Sequence, residues 1–289
     1  MSIVGRVSEL WRYPVKSMGG ESLGEVTIGP RGIPGDRGWA TRDEEAGEIR
    51  GAKKLFELLR CSARYVEEPG ATRTPAAEIL LPDGSRLRCD APEAADRLSA
   101  LVGRRVTLWP LQPDAALDHY RRAPADGADL EGEMREIFGR LPDEPLPDFS
   151  VFPPEVFEYT SPVGTYFDAF PLHLLTTGMQ RLLEKRNPGA RFDVRRFRPN
   201  VVIATEGDDA TAPEFDWTGR ELRIGEVRVA VGVPCPRCVM TTLPQGDLPK
   251  DPGVLRTIVR ESGQNVGVYA TAAAGGRIRV GDPVELTSA

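Results

Sequence analysis

Residues 221–243 read ELRIGEVRVAVGVPCPRCVMTTL and contain two short strand patterns followed by a pair of cysteines. Apolar and polar residues alternate over residues 221–224 and 227–231, which predicts two strands. The segment that follows, residues 234–243, holds Cys235 and Cys238. Strand patterns outnumber helical ones elsewhere, without the regular strand–helix alternation of a doubly wound sheet. The sequence therefore predicts a β-rich α+β fold.

The remaining elements suggest two units separated by a connector. In residues 1–112 we expect strands at 4–15, 23–28, 37–41 and 105–111, a hairpin over 78–89, and helices at 53–60 and 92–102, the latter capped by Asp90 and Glu93. Residues 113–156 are rich in Pro and Asp and hold one short helix near 130–140. In residues 157–289 we expect helices at 177–185 and 252–260, the second capped by Asp251, and strands at 201–204, 266–270 and 277–286.

Composition limits the classes of function. The 289 residues carry a formal net charge of −6, which argues against a general nucleic-acid partner. No run approaches the roughly 20 apolar residues of a membrane helix, and the first residues do not resemble a signal segment, so we expect a cytoplasmic protein with no membrane partner. Four cysteines are too few for a disulfide framework, and two histidines, His119 and His173, discourage a histidine-based relay.

The cysteine pair at 235 and 238 permits several interpretations. A structural zinc site needs four ligands, and Cys61 and Cys89 lie in separate elements. A thioredoxin-like pair should open a helix, whereas residues 239–243 are β-branched and poorly helical. A third interpretation makes both cysteines ordinary core residues. The functional alternative is a thiolate at a pocket, stabilised by the adjacent Arg237, which would suit a soft metal.

Basic residues elsewhere suggest an anion site. Four arginines fall within residues 191–198, where strand-like alternation would send some to each face. Arg198 is flanked by Phe197 and Pro199, and a guanidinium in apolar surroundings usually has an anionic partner. Lys16 and Ser17 follow the first strand without the glycines of a nucleotide-binding loop, and Arg37 follows a tight turn. If the fold brings them together, Lys16, Ser17, Arg37 and Arg198 form a phosphate pocket.

These segments together resemble a known family. Residues 13–17 (YPVKS), 35–37 (GDR), 196–200 (RFRPN), 235–238 (CPRC) and 281–284 (GDPV) occur in an order similar to that of MOSC proteins with an N-terminal MOSC β-barrel domain, such as the mitochondrial amidoxime-reducing component and its bacterial relatives. The resemblance spans about residues 3–287. It implies an N-terminal β-barrel-like domain over residues 1–112 and a C-terminal MOSC β-barrel domain with a few peripheral helices over residues 157–289.

The resemblance also implies a molybdenum cofactor (Mo-molybdopterin) held between the two units. Cys238 matches the molybdenum-ligating, catalytic cysteine of the family, and Cys235 is then a neighbour. Eight further residues match cofactor-binding positions: Lys16, Ser17, Arg37, Thr176, Arg198, Pro236, Arg237 and Tyr269. One departure concerns the Thr-Thr-Val-Asp-Pro-Asp-Thr-Gly stretch that follows the family's ligand cysteine. Here residues 241–247 read TTLPQGD, so Asp247 is the candidate replacement carboxylate.

The function implied is an oxidoreductase that reduces small N-hydroxylated substrates at a Cys-ligated molybdenum. Some bacterial relatives carry an iron–sulfur domain, and this sequence has no cysteine after Cys238, so we expect a separate electron-donor protein. The alternative is a molybdenum-cofactor or sulfur carrier, a sulfurtransferase that uses Cys238 without redox turnover. Nothing in the sequence leaves room for the pyridoxal-phosphate domain of the sulfurases. A plain scaffold with structural cysteines would bind no metal.

Overall fold

The computed structural model describes residues 2–70, 73–123, 130–207 and 210–287. Within them the strands are β1 (Ser2–Arg12), β2 (Glu21–Leu23), β3 (Glu25–Ile28), β4 (Trp39–Asp43), β5 (Glu48–Ile49), β6 (Ser62–Tyr65), β7 (Ala77–Leu80), β8 (Arg86–Arg88), β9 (Val106–Pro110), β10 (Leu172–Thr176), β11 (Val201–Ala204), β12 (Glu221–Ile224), β13 (Val227–Pro236), β14 (Asn265–Ala274), β15 (Gly276–Arg279) and β16 (Pro283–Leu286). The α-helices are α1 (Ala94–Val102), α2 (Leu117–Tyr120), α3 (Leu130–Phe138), α4 (Glu155–Glu158), α5 (Thr177–Arg186), α6 (Val194–Phe197) and α7 (Pro252–Glu261). Short 3-10 helices cover Phe56–Arg60, Pro213–Trp217 and Val239–Thr242.

Seven strands close into a barrel in the order β1, β11, β10, β14, β13, β12, β16 and back to β1. Only β10 and β11 pair in parallel among these neighbours. Ring closure leaves these strands without an unpaired edge. The barrel, together with the helices around it, confirms the β-rich α+β prediction.

The interior of the barrel follows from side-chain alternation. Along β13, Val227, Val229 and Val231 are buried while Arg228 is exposed. Successive strand residues point to opposite faces, so each alternating strand sends one apolar row inward. These rows meet in one core cluster, to which Trp217 from the second 3-10 helix also belongs.

A second core lies in the first part of the chain. One three-stranded sheet has the order β5, β4, β9, and another has the order β6, β7, β8. Leu58, Ile79, Leu87 and Leu98 are among the side chains buried between these sheets and α1. The hairpin predicted over residues 78–89 is confirmed, since β7 and β8 pair antiparallel around Gly84, whose φ is +82°.

Strand pairing joins the two ends of the chain. β1 pairs with β11 and β16, so the first strand belongs to the barrel built from residues 172–286. The first predicted unit therefore shares a strand with the last one. Residues 124–129 of the predicted connector lie outside the described residues, and α3 occupies the predicted helix near 130–140. No helix in the described ranges has the length and apolar character needed to cross a membrane.

Two helix predictions in the first unit were inaccurate. Residues 53–60 form only the 3-10 helix Phe56–Arg60, because the chain turns at Gly51, whose carbonyl accepts from the amides of Lys54 and Leu55. α1 starts at Ala94 rather than Pro92, without a side-chain cap. The Asp90 carboxylate binds Arg88 instead, with oxygen–nitrogen distances of 2.8 and 2.9 Å.

The arginine-rich stretch is a helical turn and not the expected strand. The Asp193 carboxylate accepts from the Arg195 amide at 3.0 Å and caps α6, which ends where Arg198 adopts a left-handed conformation with φ +56°. Arg196 and Arg198 are consequently buried, whereas Arg195 stays partly exposed beside Asp193.

Candidate functional site

A cavity of about 610 Å³ lies between the barrel and the first part of the chain. Its walls come from all three predicted segments, and they carry eight cationic side chains against four carboxylates. The cations are Arg37, Arg50, Lys53, Lys54, Arg122, Arg196, Arg198 and Arg237, and the carboxylates are Glu48, Glu133, Glu136 and Asp168. The cavity is therefore positive in a chain whose net charge is −6.

Cys238 lines this cavity. β13 ends at Pro236, and Cys238 continues the extended backbone until the 3-10 helix Val239–Thr242 begins. All four cysteines are free, and Cys238 is the one that is not buried. Its thiol is therefore accessible from the cavity and available to a ligand. Within the described ranges no three His, Cys, Asp or Glu side chains cluster as metal ligands, which argues against the structural zinc interpretation.

Cys235 and Arg237 support the floor of the cavity. Cys235 is buried, and its sulfur accepts from Nη1 of Arg237 at 2.9 Å. Nη2 of Arg237 donates to the Phe197 carbonyl at 2.8 Å. The hydrogen bond of Arg237 thus goes to Cys235. Burial opposes the charge of Arg237, but the electrostatic effects of Cys235, Tyr269 and the adjacent Cys238 raise its pKa. Burial raises the pKa of the Cys235 thiol, which favours its neutral form, and burial also raises the pKa of Tyr269 beside it.

Lys53 is the cation that sequence analysis missed near Cys238. The Asp168 carboxylate raises the pKa of Lys53, burial opposes this, and the negative charge of Cys238 adds to the rise. The Lys53 and Asp168 side chains lie 3.7 Å apart. The Lys53 ammonium therefore adds positive charge to the cavity wall that also carries Cys238.

Lys16 lies behind Asp168. Its Nζ donates to the Tyr166 carbonyl at 2.7 Å and to Asp168 at 3.0 Å. Burial lowers the pKa of Lys16, and the nearby carboxylate partly offsets this. Burial disfavours ionised Asp168, but Lys16 and Lys53 outweigh it and lower the pKa of that carboxyl. Asp168 was also missed, because nothing in the sequence around it shows that two lysines from residues 16 and 53 converge there.

Arg37 and Arg198 form the buried cationic wall. Both guanidinium groups stack on the Tyr13 ring, with centroid distances of 4.7 and 4.2 Å. Arg37 is neutralised by Asp36, whereas Nη2 of Arg198 has no hydrogen-bond partner in the described part of the chain. Burial, followed by the repulsion from Arg37, lowers the pKa of Arg198 to about 10. Nη2 of Arg198 is therefore available to donate to an anion.

Backbone strain is concentrated at the same place. In the described residues, four non-glycine residues have positive φ, and three of them are Ser17, Arg37 and Arg198. Such conformations cost of order 1–3 kcal/mol each and cluster at ligand-binding sites. No local sequence pattern reports this strain, because none of the three residues is a glycine, the residue that usually adopts positive φ.

The cavity wall lacks three of the predicted site residues, which are Lys16, Ser17 and Thr176. Ser17 is buried, and its Oγ accepts from the Ala52 amide at 2.8 Å, next to Lys16. Thr176 is fully buried, because its Oγ1 donates to Glu214 at 2.6 Å and accepts from the Met179 amide at 3.1 Å as the cap of α5. The structure thus places Arg37, Arg198, Pro236, Arg237, Cys238 and Tyr269 together on the wall, with Lys16 directly behind it.

The candidate carboxylate Asp247 also lies elsewhere. It is exposed and pairs with Arg195 at 2.7 Å and Arg191 at 3.1 Å. His173 does line the cavity, but burial lowers its pKa to about 3 and its Nε2 contacts the Val266 carbonyl at 3.0 Å. The His173 ring is therefore neutral and held in place by the Val266 carbonyl.

Two family models match the chain. The family model for the MOSC domain matches residues 164–285, and the model for the MOSC N-terminal beta barrel domain matches residues 4–113. The chain therefore belongs to the MOSC proteins that carry an N-terminal MOSC β-barrel domain.

Several relatives match nearly the whole chain at low identity. Mitochondrial amidoxime reducing component 2 of Bos taurus is 26% identical over 97% of this chain and 83% of its own length. Mitochondrial amidoxime-reducing component 1 of Mus musculus is 27% identical over 98% of this chain and 82% of its own length. Among solved structures, the YUAD protein of Bacillus subtilis covers 99% of this chain and 97% of its own, with 10% identity and a TM-score of 0.44.

Proposed function

We propose that this chain binds a molybdenum cofactor in the cavity and reduces small N-hydroxylated substrates, with Cys238 as the metal ligand. The observation that carries the proposal is the joint presence of an accessible thiol and a buried, unpartnered guanidinium donor in one positive cavity. A thiolate suits a soft metal, and guanidinium groups suit a phosphate dianion. The relatives named as amidoxime reducing components support the reaction type.

The residues present fit such a cofactor. Nη2 of Arg198 and Nε of Arg237 are buried nitrogens without acceptors in the described part of the chain. Buried donors normally have partners, so these two are accounted for by acceptors of a bound group. Arg37, Arg198 and the nearby Lys16 would hold the phosphate and the pterin, as their resemblance to the family implies. Pro236, Arg237 and Tyr269 would contact the group beside Cys238.

The chain's own contribution to the reaction would be binding, orientation and electrostatics. The cofactor, when bound, supplies the two-electron redox chemistry. Cys238 would hold the metal at the end of β13. Lys53 keeps positive charge facing that thiolate, and Arg237 keeps the neighbouring Cys235 out of the ligand set by occupying its sulfur. The neutral His173 adds no charge beside them. Ser17 and Thr176 would act on the site only through the backbone segments that they fix.

Electrons would reach this site from a separate donor protein. In the described ranges the cysteines other than Cys238 are buried, and no three His, Cys, Asp or Glu side chains cluster there as the ligands that an iron–sulfur cluster would need. A cytoplasmic location is part of this proposal.

A test of the reaction uses benzamidoxime with an artificial one-electron reductant. The protein from a molybdenum-sufficient host should convert it to benzamidine. Cys238→Ser should lose at least about a hundredfold in rate, because even the loss of a residue that only supports a metal ligand costs about 10- to 100-fold. Cys61→Ser, in the core of the first unit, is the matched control and should retain activity. If the cofactor is bound but no turnover occurs, and Cys238 carries a sulfane sulfur, the carrier or sulfurtransferase alternative replaces the reductase.

A further inference from the structure

The connector contributes an aromatic wall to the cavity. Four phenylalanines between residues 138 and 157 line it, and Phe170 and Tyr269 continue the wall on the barrel side. The four are Phe138, Phe149, Phe152 and Phe157. No feature of the anion site accounts for them, since its ligands are cationic and come from other segments.

These rings form two groups of contacting rings, and the second group leads to the cysteine motif. Phe138 and Phe149 meet edge to face at 5.2 Å. Phe152 lies 6.4 Å from Phe170 and 6.4 Å from Tyr269, measured between ring centroids. Phe170 and Tyr269 stack at 5.1 Å. The second group therefore ends at Tyr269, whose hydroxyl interacts with the buried Cys235 of β13, the strand that ends two residues before Cys238.

The phenylalanine rings of this wall are not part of the apolar core. Phe157 is 50% exposed, and Phe149 and Phe152 are only half-buried. Within the described residues, none of the connector phenylalanines belongs to the five apolar core clusters. Aromatic surface left open to a cavity is characteristic of ligand sites, where it supplies most of the contact area.

The wall is fixed on both sides of the cavity. In α3, Glu133 pairs with Lys54 at 3.0 Å, which ties the helix to the first unit. At the other end, Glu144 pairs with Arg256 of α7 at 2.7 Å, and Arg256 also donates to the Gly139 carbonyl. Because the connector is held to both halves, its rings have a defined position over the cavity.

We infer that this aromatic wall selects the substrate, and that it binds a flat, uncharged aryl group attached to the N-hydroxylated centre. The inference rests on the proposed function, which places the reacting end of the substrate beside Cys238. The cationic wall is suited to the anionic cofactor, so the aromatic side remains for the rest of the substrate. A planar ring gains offset or edge-to-face contacts with Phe152 and Phe170 that an aliphatic group lacks.

Phe152→Ala tests this, with benzamidoxime and acetamidoxime as matched aryl and methyl substrates. We expect KM for benzamidoxime to rise about tenfold, as for loss of one aromatic contact, with kcat and the KM for acetamidoxime changed less than about twofold. Phe152→Leu should restore part of the affinity. Phe56→Ala, which removes an exposed phenylalanine outside the cavity wall, is the control.

A binding measurement separates this inference from the proposed function. Calorimetric titration of benzamidoxime into oxidised protein without reductant should give an affinity that Phe152→Ala weakens by about the same factor, with unchanged molybdenum content. If the wild type holds no molybdenum, the proposed function fails, yet a Phe152-dependent affinity for benzamidoxime over acetamidoxime still supports the wall. Equal effects on both substrates, or none on either, would overturn the inference.

Discussion

Replacement of Arg198 should leave the stability of the cofactor-free protein nearly unchanged while it weakens anion binding. The Arg198 side chain is 9% exposed, stacks on Tyr13 and donates to the Met18 carbonyl, but Nη2 has no partner in the described residues. Replacing it with Met keeps an unbranched apolar stem and removes the charged guanidinium group.

The magnitude follows from the pKa of Arg198, which burial lowers from 12.5 to about 10. At about 1.4 kcal/mol per pKa unit, holding the charge in the folded state costs about 3 kcal/mol. The contact with Tyr13 offsets about 1–2 kcal/mol, and the bond to the Met18 carbonyl about 1 kcal/mol. The terms nearly cancel. The free energy of unfolding of cofactor-free Arg198→Met should therefore lie within about 1 kcal/mol of the wild-type value, which is unusual for the loss of a buried arginine.

Binding should respond strongly. A charge-assisted guanidinium–phosphate interaction is worth about 1.5–3 kcal/mol, so Arg198→Met should weaken inorganic phosphate binding by about 10- to 150-fold. The assay is urea unfolding of protein from a host that makes no molybdenum cofactor, with and without phosphate. Phosphate should stabilise wild type and the control Arg195→Met, but not Arg198→Met. A loss of several kcal/mol in the cofactor-free variant, or undiminished phosphate stabilisation, would refute the reasoning.

Three further changes test the scaffold by chemical denaturation. Burial raises the pKa of Glu214 from 4.5 to about 7. The bound proton therefore stabilises the folded state by about 3 kcal/mol below pH 4.5, and this stabilisation is lost as the pH rises through 7. Glu214→Gln should remove that part of the pH dependence, and an unchanged slope between about pH 5 and about pH 8 would contradict the assignment. Arg196→Met should lower the free energy of unfolding by about 3–5 kcal/mol, because the buried guanidinium donates to the carbonyls of residues 191, 241, 243 and 249. A loss below about 1 kcal/mol would show that those carbonyls find other donors. Asp251→Ala removes the cap of α7, whose carboxylate accepts from the Gly253 amide at 2.9 Å, and should cost about 1 kcal/mol, with no loss expected if the cap is idle.

The barrel strands were largely predictable from local patterns. β11 and β12 begin and end where alternation predicted, and the cap of α7 by Asp251 followed from its position before Pro252. β13 runs beyond the predicted residue 231 to Pro236, because pairing with β14 continues through an irregular register that a local pattern does not show. Closure of the ring by β1 likewise depends on pairing between residues 6–10 and 201–204, which no local signal reports.

The site was predictable in its residue types but not in its geometry. The positions of Arg37, Arg198 and Cys238 followed from resemblance, and the cavity brings them together. Asp168 and Lys53 were missed because their role arises only from long-range contacts. Arg196 resembled its neighbours in sequence, yet the capping of α6 by Asp193 turns its side chain into the core.

The connector's aromatic wall was hidden for a similar reason. Its phenylalanines are spaced irregularly among Pro and Asp residues, so no periodic pattern marks one face. They converge only because ion pairs to Lys54 and Arg256 hold the segment across the cavity. Specificity that depends on such a segment is accessible from the structure alone.

Molybdenum content, measured by elemental analysis with Cys238→Ser beside Cys61→Ser, addresses the main claim most directly. Wild type and Cys61→Ser from a molybdenum-sufficient host should each carry about one molybdenum per chain, while Cys238→Ser should carry almost none. Equal molybdenum in all three proteins would remove Cys238 as the ligand, and zinc or no metal in wild type would contradict the cofactor site itself.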